Sequence, residues 1–160
     1  MGAPAARGFP AVGVARTLIE RLNESPGDRL DALIAESEQH GLRFVRRLAD
    51  EWASGANRFD RPGEALFVAR LAGQVVGVCG LNVDPHASEP NVGRVRHLYV
   101  LSAYRRLGVG RQLVTEVMAT ARGRFARLRL RTNNPAAAQL YESLGFRRCV
   151  GAGDFTHIKE

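Results

Sequence analysis

The chain has 160 residues, of which 45% are hydrophobic and 24% are charged, a composition that fits one domain with a single core and requires no second one. No apolar run approaches the roughly 20 residues that cross a bilayer, so no membrane contact is expected. The net charge of +7 favours anionic ligands and would also attract nucleic acid, without distinguishing between the two.

Residues 1–11 are rich in glycine, alanine and proline, and this composition predicts a loose leader. The segment lacks the apolar stretch of a secretory signal, so a cytoplasmic location is expected. Residues 12–160 are predicted to form one domain.

The cysteines and histidines give no indication of a metal site or a disulfide framework. Cys79 and Cys149 each lie in an apolar run, which predicts two buried thiols. The four histidines have no spacing typical of zinc ligands, so no metal is expected.

The elements begin with a strand and a pair of helices. The stretch 12–22 is moderately apolar and predicts the first strand, although its arginine and glutamate content also allows a helix. Ser25 followed by Pro26 is typical of a helix start with serine as the N-cap, and apolar residues at helical spacing continue to Gly41. A second helix with the same apolar period is predicted to start at Phe44 and to end before Gly55.

A hairpin and a third strand follow the helices. The segments 65–69 and 74–81 flank a Leu-Ala-Gly turn and predict two antiparallel strands. Residues 86–93 form a polar loop containing proline, and 95–101 is predicted to be the next strand.

The last part of the chain alternates between helices and strands. A long helix is predicted to end near Arg122, and 125–132 alternates strictly between apolar and basic residues, as a half-buried strand does. A short helix over 135–144 precedes two strands over 146–150 and 155–159. The chain is therefore predicted to be a mixed α/β domain, in which a ligand site belongs at the end of a central strand.

The turn after the strand 95–101 has the features of a phosphate-binding site. Gly108 and Gly110 allow the backbone to approach a ligand closely, and the unpaired N–H groups of the helix that follows would point at an anion. Arg105, Arg106 and Arg111 surround this turn with positive charge.

Two sequence blocks carry a resemblance to a known family. The segment Arg105–Gly110 fits an acyl-CoA signature that consists of Arg or Gln, two residues, Gly, one residue, and Gly or Ala. A second block matches at Asn134, Ala137, Leu140-Tyr141 and Leu144-Gly145-Phe146. With these blocks, the chain resembles the GCN5-related N-acetyltransferase (GNAT) superfamily.

The resemblance implies a fold and a cofactor. It implies a mixed, mostly antiparallel central sheet of about seven strands flanked by about four helices, with the fourth and fifth strands splayed apart. Acetyl-CoA would be the co-substrate, and its pantetheine arm would lie in the splay as a pseudo-strand.

The resemblance also implies which residues would contact the cofactor. Val100 N–H would polarise the thioester carbonyl, and Asn134 would contact the cofactor arm. The remaining residues implied at the cofactor lie at the end of the strand or in the glycine turn, where backbone N–H groups would hold the pyrophosphate: Leu98, Tyr99, Arg105, Arg106, Gly108, Val109, Gly110 and Arg111.

The reaction would need an acid and a route for proton removal. Tyr141 would lie close to the thioester sulfur, and a neutral phenol with a pKa of about 10 can protonate a departing thiolate. Many relatives carry a glutamate on the fourth strand as the base, whereas 91–97 contains no carboxylate here. His97 is the candidate substitute, with deprotonation through water as the alternative.

The acceptor is not identified by the sequence. A small-molecule or peptide amine is expected. The resemblance implies that Glu36, Glu38 and His40 could reach its pocket, and a solvated helix face is the favoured alternative for these residues. A homodimer is possible, since the last strands often mediate pairing in relatives.

Other function classes remain open at this stage. A noncatalytic acyl-CoA-binding domain would explain the missing carboxylate. A nucleic-acid module would use Arg127, Arg129 and Arg131 on phosphates, although interleaved stacking aromatics are absent and nucleic acid is not the expected partner. A covalent route through Cys149 is less simple than direct transfer.

Overall fold

The computed structural model describes residues 16–160. The leader predicted over residues 1–11, and the start of the first predicted strand over 12–15, lie outside the described residues. The strands are β1 (Thr17–Arg21), β2 (Ala65–Leu71), β3 (Gln74–Val83), β4 (Val92–Val100), β5 (Arg127–Leu130), β6 (Arg147–Arg148) and β7 (His157–Lys159). The helices are α1 (Asp31–Gln39), α2 (Phe44–Ser54), α3 (Val109–Ala121) and α4 (Pro135–Ser143), with a short 3-10 turn over Ser102–Tyr104.

The seven strands form one sheet in the order β1-β2-β3-β4-β5-β7-β6. All neighbouring pairs are antiparallel except β4 and β5, which are parallel. Pairing between β4 and β5 extends only from Val92 with Arg127 to Arg94 with Arg129, although β4 continues to Val100. The two strands therefore separate into a V, and the expected sheet with a splay at this position is confirmed.

Helices cover both faces of the sheet. A Cβ added to Gly77 on β3 would lie 3.0 Å from Leu113 and 3.3 Å from Val109, so α3 packs closely on one face. A Cβ on the neighbouring Gly80 would lie 2.6 Å from Phe59, which follows α2 and lies on the other face. The apolar side chains of the sheet are thus enclosed between α3 on one face and the α1–α2 pair on the other.

A bulge in β4 decides which face its last residues occupy. Val78 pairs with Tyr99 and Gly80 pairs with Arg96, so β4 contains one extra residue between these pairs. His97 lies in this bulge with φ +62°, a left-handed conformation that few residues other than glycine adopt. The bulge turns Tyr99 towards the face that carries α1 and α2.

Some sequence-based boundaries were wrong. The helix expected to begin at Pro26 begins at Asp31, because Gly27 adopts φ +60° and interrupts the helical path. Ser25 Oγ accepts a hydrogen bond from Gly27 N–H at 3.4 Å and caps no helix. The segment predicted as a loop up to residue 93 already contributes Val92 to β4.

The two cysteines have different environments. Cys79 is fully buried on β3, and burial raises the pKa of its thiol to about 12. Cys149 lies partly exposed beyond β6, where its Sγ accepts a hydrogen bond from Arg147 Nη1 at 3.6 Å. The prediction of a buried thiol is confirmed for Cys79 and wrong for Cys149, which lies just beyond the end of β6 and stays partly exposed.

Candidate active site

The V between β4 and β5 presents free backbone groups on the side of β4. Leu101 N–H donates to Val76 C=O on β3 at 2.9 Å. Alternate residues of an antiparallel strand point their backbone groups to opposite sides. Val100 N–H is therefore directed away from β3 and into the V. A strand edge of this kind can receive an extended ligand arm as an additional strand.

The turn after β4 leaves free backbone N–H groups at the start of α3, an arrangement, here called the cradle, that can hold an anion. Gly108 is the N-cap with φ +82°, and Arg106 has φ +66°. Gln112 is the first residue whose N–H bonds back to the turn, to Gly108 C=O at 3.0 Å, so the N–H groups of residues 109–111 are available to a ligand. A Cβ on Gly108 would meet no atom within 4 Å, so the cradle is open.

Several predicted cofactor residues use their side chains in contacts with other residues of the protein. Arg111 Nη2 donates to Ser143 Oγ on α4 at 2.7 Å, and Asn134 Oδ1 accepts from Ala137 N–H at 3.1 Å as the N-cap of α4. A Cβ on Gly110 would lie 3.3 Å from Leu140, so this glycine also permits α3 and α4 to pack. What these residues leave for a ligand is backbone N–H groups, the other guanidinium N–H groups of Arg111 and the Asn134 amide nitrogen.

Arg105 turns back towards β4 instead of extending over the cradle. Its Nε donates to Val100 C=O at 2.8 Å, and its guanidinium carbon lies 5.3 Å from the centre of the Tyr99 ring. Arg105 thereby holds the end of β4 in place beside the V. Leu98, one residue before Tyr99, is half-buried against the core.

Glu36 of α1 ties this end of β4 to the helix pair. Its Oε1 accepts hydrogen bonds from Tyr99 Oη at 2.6 Å and from Ser102 N–H at 2.9 Å, and lies 3.9 Å from Arg105 Nη2. Burial alone would raise the pKa of Glu36, but these donors and the guanidinium lower it overall. Burial and the neighbouring carboxylate raise the pKa of Tyr99 to about 12. Glu36 is thus a charged anchor with low basicity.

The other two residues considered for the acceptor pocket face solvent. Glu38 forms an exposed ion pair with Arg46 at 3.0 Å, and the hydrogen bonds from Arg46 lower the pKa of that carboxyl. His40 is exposed after the end of α1. Of the three, only Glu36 contacts the end of β4.

Tyr141 lies on the inner face of α4 and is 5% exposed. Its ring meets Phe146 edge-on, with 5.6 Å between the ring centres. Burial raises the pKa of the phenol well above 10, with a smaller contribution from the Cys79 thiol on β3. Within residues 16–160 its hydroxyl has no hydrogen-bond partner. The phenol is therefore protonated at neutral pH and free to donate.

His97 lies among aromatic rings in the β4 bulge. It stacks on Phe44 with 6.3 Å between the ring centres and meets Phe59 edge-on at 6.1 Å. Burial lowers the pKa of His97 to about 3, and Arg96 and Arg47 contribute to the decrease. Its Nε2 is buried with no partner in the described part of the chain. A neutral imidazole of such low basicity is a poor acceptor for a proton from an ammonium group.

The low pKa of His97 predicts a pH-dependent stability. Below pH 6.5 the unfolded chain binds a proton on this histidine, whereas the folded chain does so only near pH 3. The free energy of unfolding should carry no penalty from His97 above pH 6.5. Below pH 6.5 it should fall by up to about 1.4 kcal/mol per pH unit. In urea unfolding at pH 7, 5.5 and 4.5, His97→Gln should lose less stability than the wild type. His40→Gln, at an exposed site, controls for the substitution, and parallel curves for His97→Gln and wild type would contradict the assignment.

The basic stripe of arginines on and just after β5 forms contacts with other residues of the protein. Arg127 pairs with Glu160 at 2.9 Å and with Glu89 at 3.7 Å. Arg131 Nη1 donates to the backbone C=O of Gly153. These contacts leave little of the stripe for phosphates of a nucleic acid.

Within residues 16–160 no group of three or more His, Cys, Asp or Glu side chains is arranged to hold a metal ion. No helix of the described segment is long and apolar enough to cross a membrane.

Two buried charged residues near the V were not identified from the sequence. Asp84, just after β3, is 2% exposed, and Arg94 on β4 is 8% exposed. The alternation of β4 could have shown that Arg94 shares a face with Arg96. No local pattern marks Asp84, because its burial depends on strands that are distant in the chain.

Comparisons with known proteins agree with the fold described above. A family model described as the acetyltransferase (GNAT) family matches residues 31–146. A protein assigned as an acetyltransferase from Exiguobacterium sp. 255-15 is 31% identical and has a TM-score of 0.80, with 91% of this chain and 93% of that chain covered. The N-acetylglutamate synthase of Neisseria gonorrhoeae, solved with coenzyme A and N-acetyl-glutamate, shares the fold at 18% identity and a TM-score of 0.65, covering 90% of this chain and 34% of that chain.

One curated relative is the N-alpha-acetyltransferase RimI of Mycobacterium tuberculosis, which is 39% identical over 103 residues. The match covers 62% of this chain and 63% of RimI. An uncharacterised Mycobacterium leprae protein is 39% identical over 80 residues, which is 50% of this chain and 22% of that protein. The chain therefore matches less than two thirds of the length of either relative.

Proposed function

Because the chain belongs to the GNAT family of acetyltransferases, we propose that it transfers an acetyl group from acetyl-CoA to a primary amine by direct attack in a ternary complex. The observation that carries the proposal is the open V with Val100 N–H directed into it, next to the cradle at the start of α3. The relation to RimI supports an amine as the acceptor.

The residues present fit acetyl-CoA. The cradle has unpaired N–H groups at a helix start, two left-handed residues and no side chain at Gly108, features that suit a pyrophosphate. Val100 N–H would donate to the thioester oxygen, where negative charge develops during attack. The cofactor supplies the activated acetyl group, and the protein aligns it with the amine.

Tyr141 would act as the acid in this scheme. The phenol carries its proton at neutral pH and can donate it to the sulfur as the carbon–sulfur bond breaks. A domain that only binds acyl-CoA needs no such donor. Tyr141 therefore favours catalysis over the noncatalytic alternative.

We propose that water, and not His97, takes the proton from the acceptor. The low pKa of about 3 and the burial of Nε2 make the imidazole a poor acceptor for a proton from an ammonium group. Arg94 and Arg96 lie on the same face of β4, and their positive charge would lower the pKa of an ammonium group nearby. The acceptor would then lose its proton without a carboxylate base.

Calorimetry with acetyl-CoA tests the proposal first. Wild-type protein should bind acetyl-CoA saturably, and S-acetyl-pantetheine, which lacks the nucleotide and the pyrophosphate, should bind much more weakly. Release of CoA in the presence of a panel of primary amines should then identify turnover. Absence of acetyl-CoA binding would contradict the proposed function.

A further inference from the structure

The face of the sheet opposite to α3 carries three arginines at the point where β4 and β5 separate. Arg94 and Arg129 form the last register pair between the two strands. Arg96 follows two residues later on β4 and therefore lies on the same face as Arg94. This is the face covered by α1 and α2, opposite to α3.

One carboxylate lies among these arginines. Asp84 Oδ2 is 3.5 Å from Arg94 Nη1 and 3.9 Å from Arg129 Nη1, distances longer than those of charged hydrogen bonds. Asp84 Oδ2, Arg94 Nη1 and Arg129 Nε are all buried, and none has a hydrogen-bond partner in the part of the chain that the structure describes. Buried polar atoms without partners are uncommon in proteins, so their convergence here indicates a place for a polar group.

Arg96 has no carboxylate partner among residues 16–160 within ion-pair distance. Its polar side-chain contact is Asn82 Oδ1, at 3.4 Å from Nη1. Partial burial lowers the pKa of this guanidinium; Glu51 and Asp84 oppose the decrease, while Arg94 and Arg47 add to it. The three arginines on this face thus have one buried carboxylate between them and an excess of positive charge.

We propose that the acceptor carries a carboxylate close to its amine, as in an amino acid, and that Arg96 binds this carboxylate beside the Arg94–Asp84–Arg129 cluster. The inference rests on the proposed acetyl transfer and specifies its substrate class. A guanidinium fork matches the two oxygens of a carboxylate. The added negative charge would balance the excess positive charge of this face.

The position suits the reaction. Arg96 and Val100 are four residues apart on β4, which corresponds to at most about 13 Å between their Cα atoms. An arginine side chain and a small amino acid can together bridge this span, so a carboxylate held by Arg96 leaves the amine near the V. The positive charge disfavours polyamines, which carry no carboxylate.

Arg96 is the arginine of choice for a test. Arg94 Nη2 donates to Asp154 C=O at 2.7 Å, and the Arg129 guanidinium lies 4.4 Å from the Phe155 ring centre, so both also hold the segment before β7. Arg96→Met breaks no ion pair and leaves Asp84 its two neighbours. Arg127→Met is the matched control, since Arg127 is a basic residue on the same face whose partners, Glu89 and Glu160, are exposed.

The experiment measures CoA release with three kinds of acceptor: free L-amino acids, their C-terminal amides, and a tetrapeptide amide with a free N-terminus and uncharged side chains. Mass spectrometry identifies the products. For wild type, kcat/KM should favour the free acids by about tenfold or more, mainly through KM, because charged hydrogen bonds are about twice as strong as neutral ones. Arg96→Met should abolish the preference, Arg96→Lys should restore part of it, and Arg127→Met should retain it. All variants should bind acetyl-CoA like the wild type.

Three outcomes would overturn the inference: equal or better use of the amides or the peptide amide, a preference that survives Arg96→Met, or no acetylation of any panel member by a protein that binds acetyl-CoA. The third outcome would leave the binding of acetyl-CoA established. Failure to bind acetyl-CoA would instead contradict the proposed function itself.

Discussion

Gly108→Asp is expected to abolish saturable binding of acetyl-CoA while the protein remains folded. A side chain at this position meets no atom within 4 Å, so the carboxylate can project beside the free N–H groups at the start of α3. Two like charges about 4 Å apart near a protein surface repel by roughly 4 kcal/mol, which corresponds to nearly a thousandfold in affinity. Calorimetry with acetyl-CoA measures the loss directly.

The substitution also introduces backbone strain, because Gly108 has φ +82° and an L-residue in this conformation costs about 1–2 kcal/mol. Gly123→Asp is the matched control. Gly123 follows the opposite end of α3, has φ +74° and has no atom within 4 Å of an added Cβ. Gly123→Asp should therefore be destabilised at least as much and should bind acetyl-CoA normally. Equal binding by the two variants would contradict the cradle.

Tyr141→Phe is expected to reduce kcat by about 10²–10⁴-fold, the usual contribution of a positioned general acid. The phenylalanine ring retains the packing against Phe146, and the lost hydroxyl has no hydrogen-bond partner in the described segment. Thermal stability and the Kd for acetyl-CoA should therefore change little. Steady-state CoA release with an accepted amine, together with calorimetry, separates these quantities.

Tyr104→Phe controls for the removal of a phenol. Its hydroxyl contacts Gln74 at the start of β3, at 3.4 Å, and has no part in the proposed chemistry. This variant should retain wild-type kcat. An unchanged kcat in Tyr141→Phe would show that Tyr141 is not the acid, and a loss confined to acetyl-CoA affinity would give it a packing role. Binding of acetyl-CoA by wild type without turnover of any amine would favour the noncatalytic alternative.

Local sequence was sufficient for the elements that form the cradle. The strand, the Gly108-x-Gly110 turn and the helix that follows are contiguous in the chain, so apolar period and glycine spacing predicted them directly. The position of Tyr141 on a helix next to the sheet followed in the same way. The parallel, splayed β4–β5 pair was expected from the family resemblance and is confirmed by the register.

Features that depend on contacts between distant segments could not be predicted. The bulge at His97 arises from the registration of β4 against β3, and neither strand alone shows it. Without the bulge, Tyr99 would face α3 and could not reach Glu36, which lies 63 positions earlier in the chain. The low pKa of His97 likewise depends on burial by Phe44 and Phe59, which belong to other parts of the chain.

The amino-acid sequence by itself determined the order of elements and predicted the glycine turn, because each depends on neighbours within a few residues. The candidate acid, Tyr141, came from the family resemblance and stays a prediction. Only the tertiary structure decided that Glu36 and Arg105 anchor the end of β4. It also decided that His97 is a neutral side chain packed among aromatic rings, and that Asp84 lies between Arg94 and Arg129. The physical reason is that burial, and with it the effective charge of a side chain, depends on which distant segments pack around it.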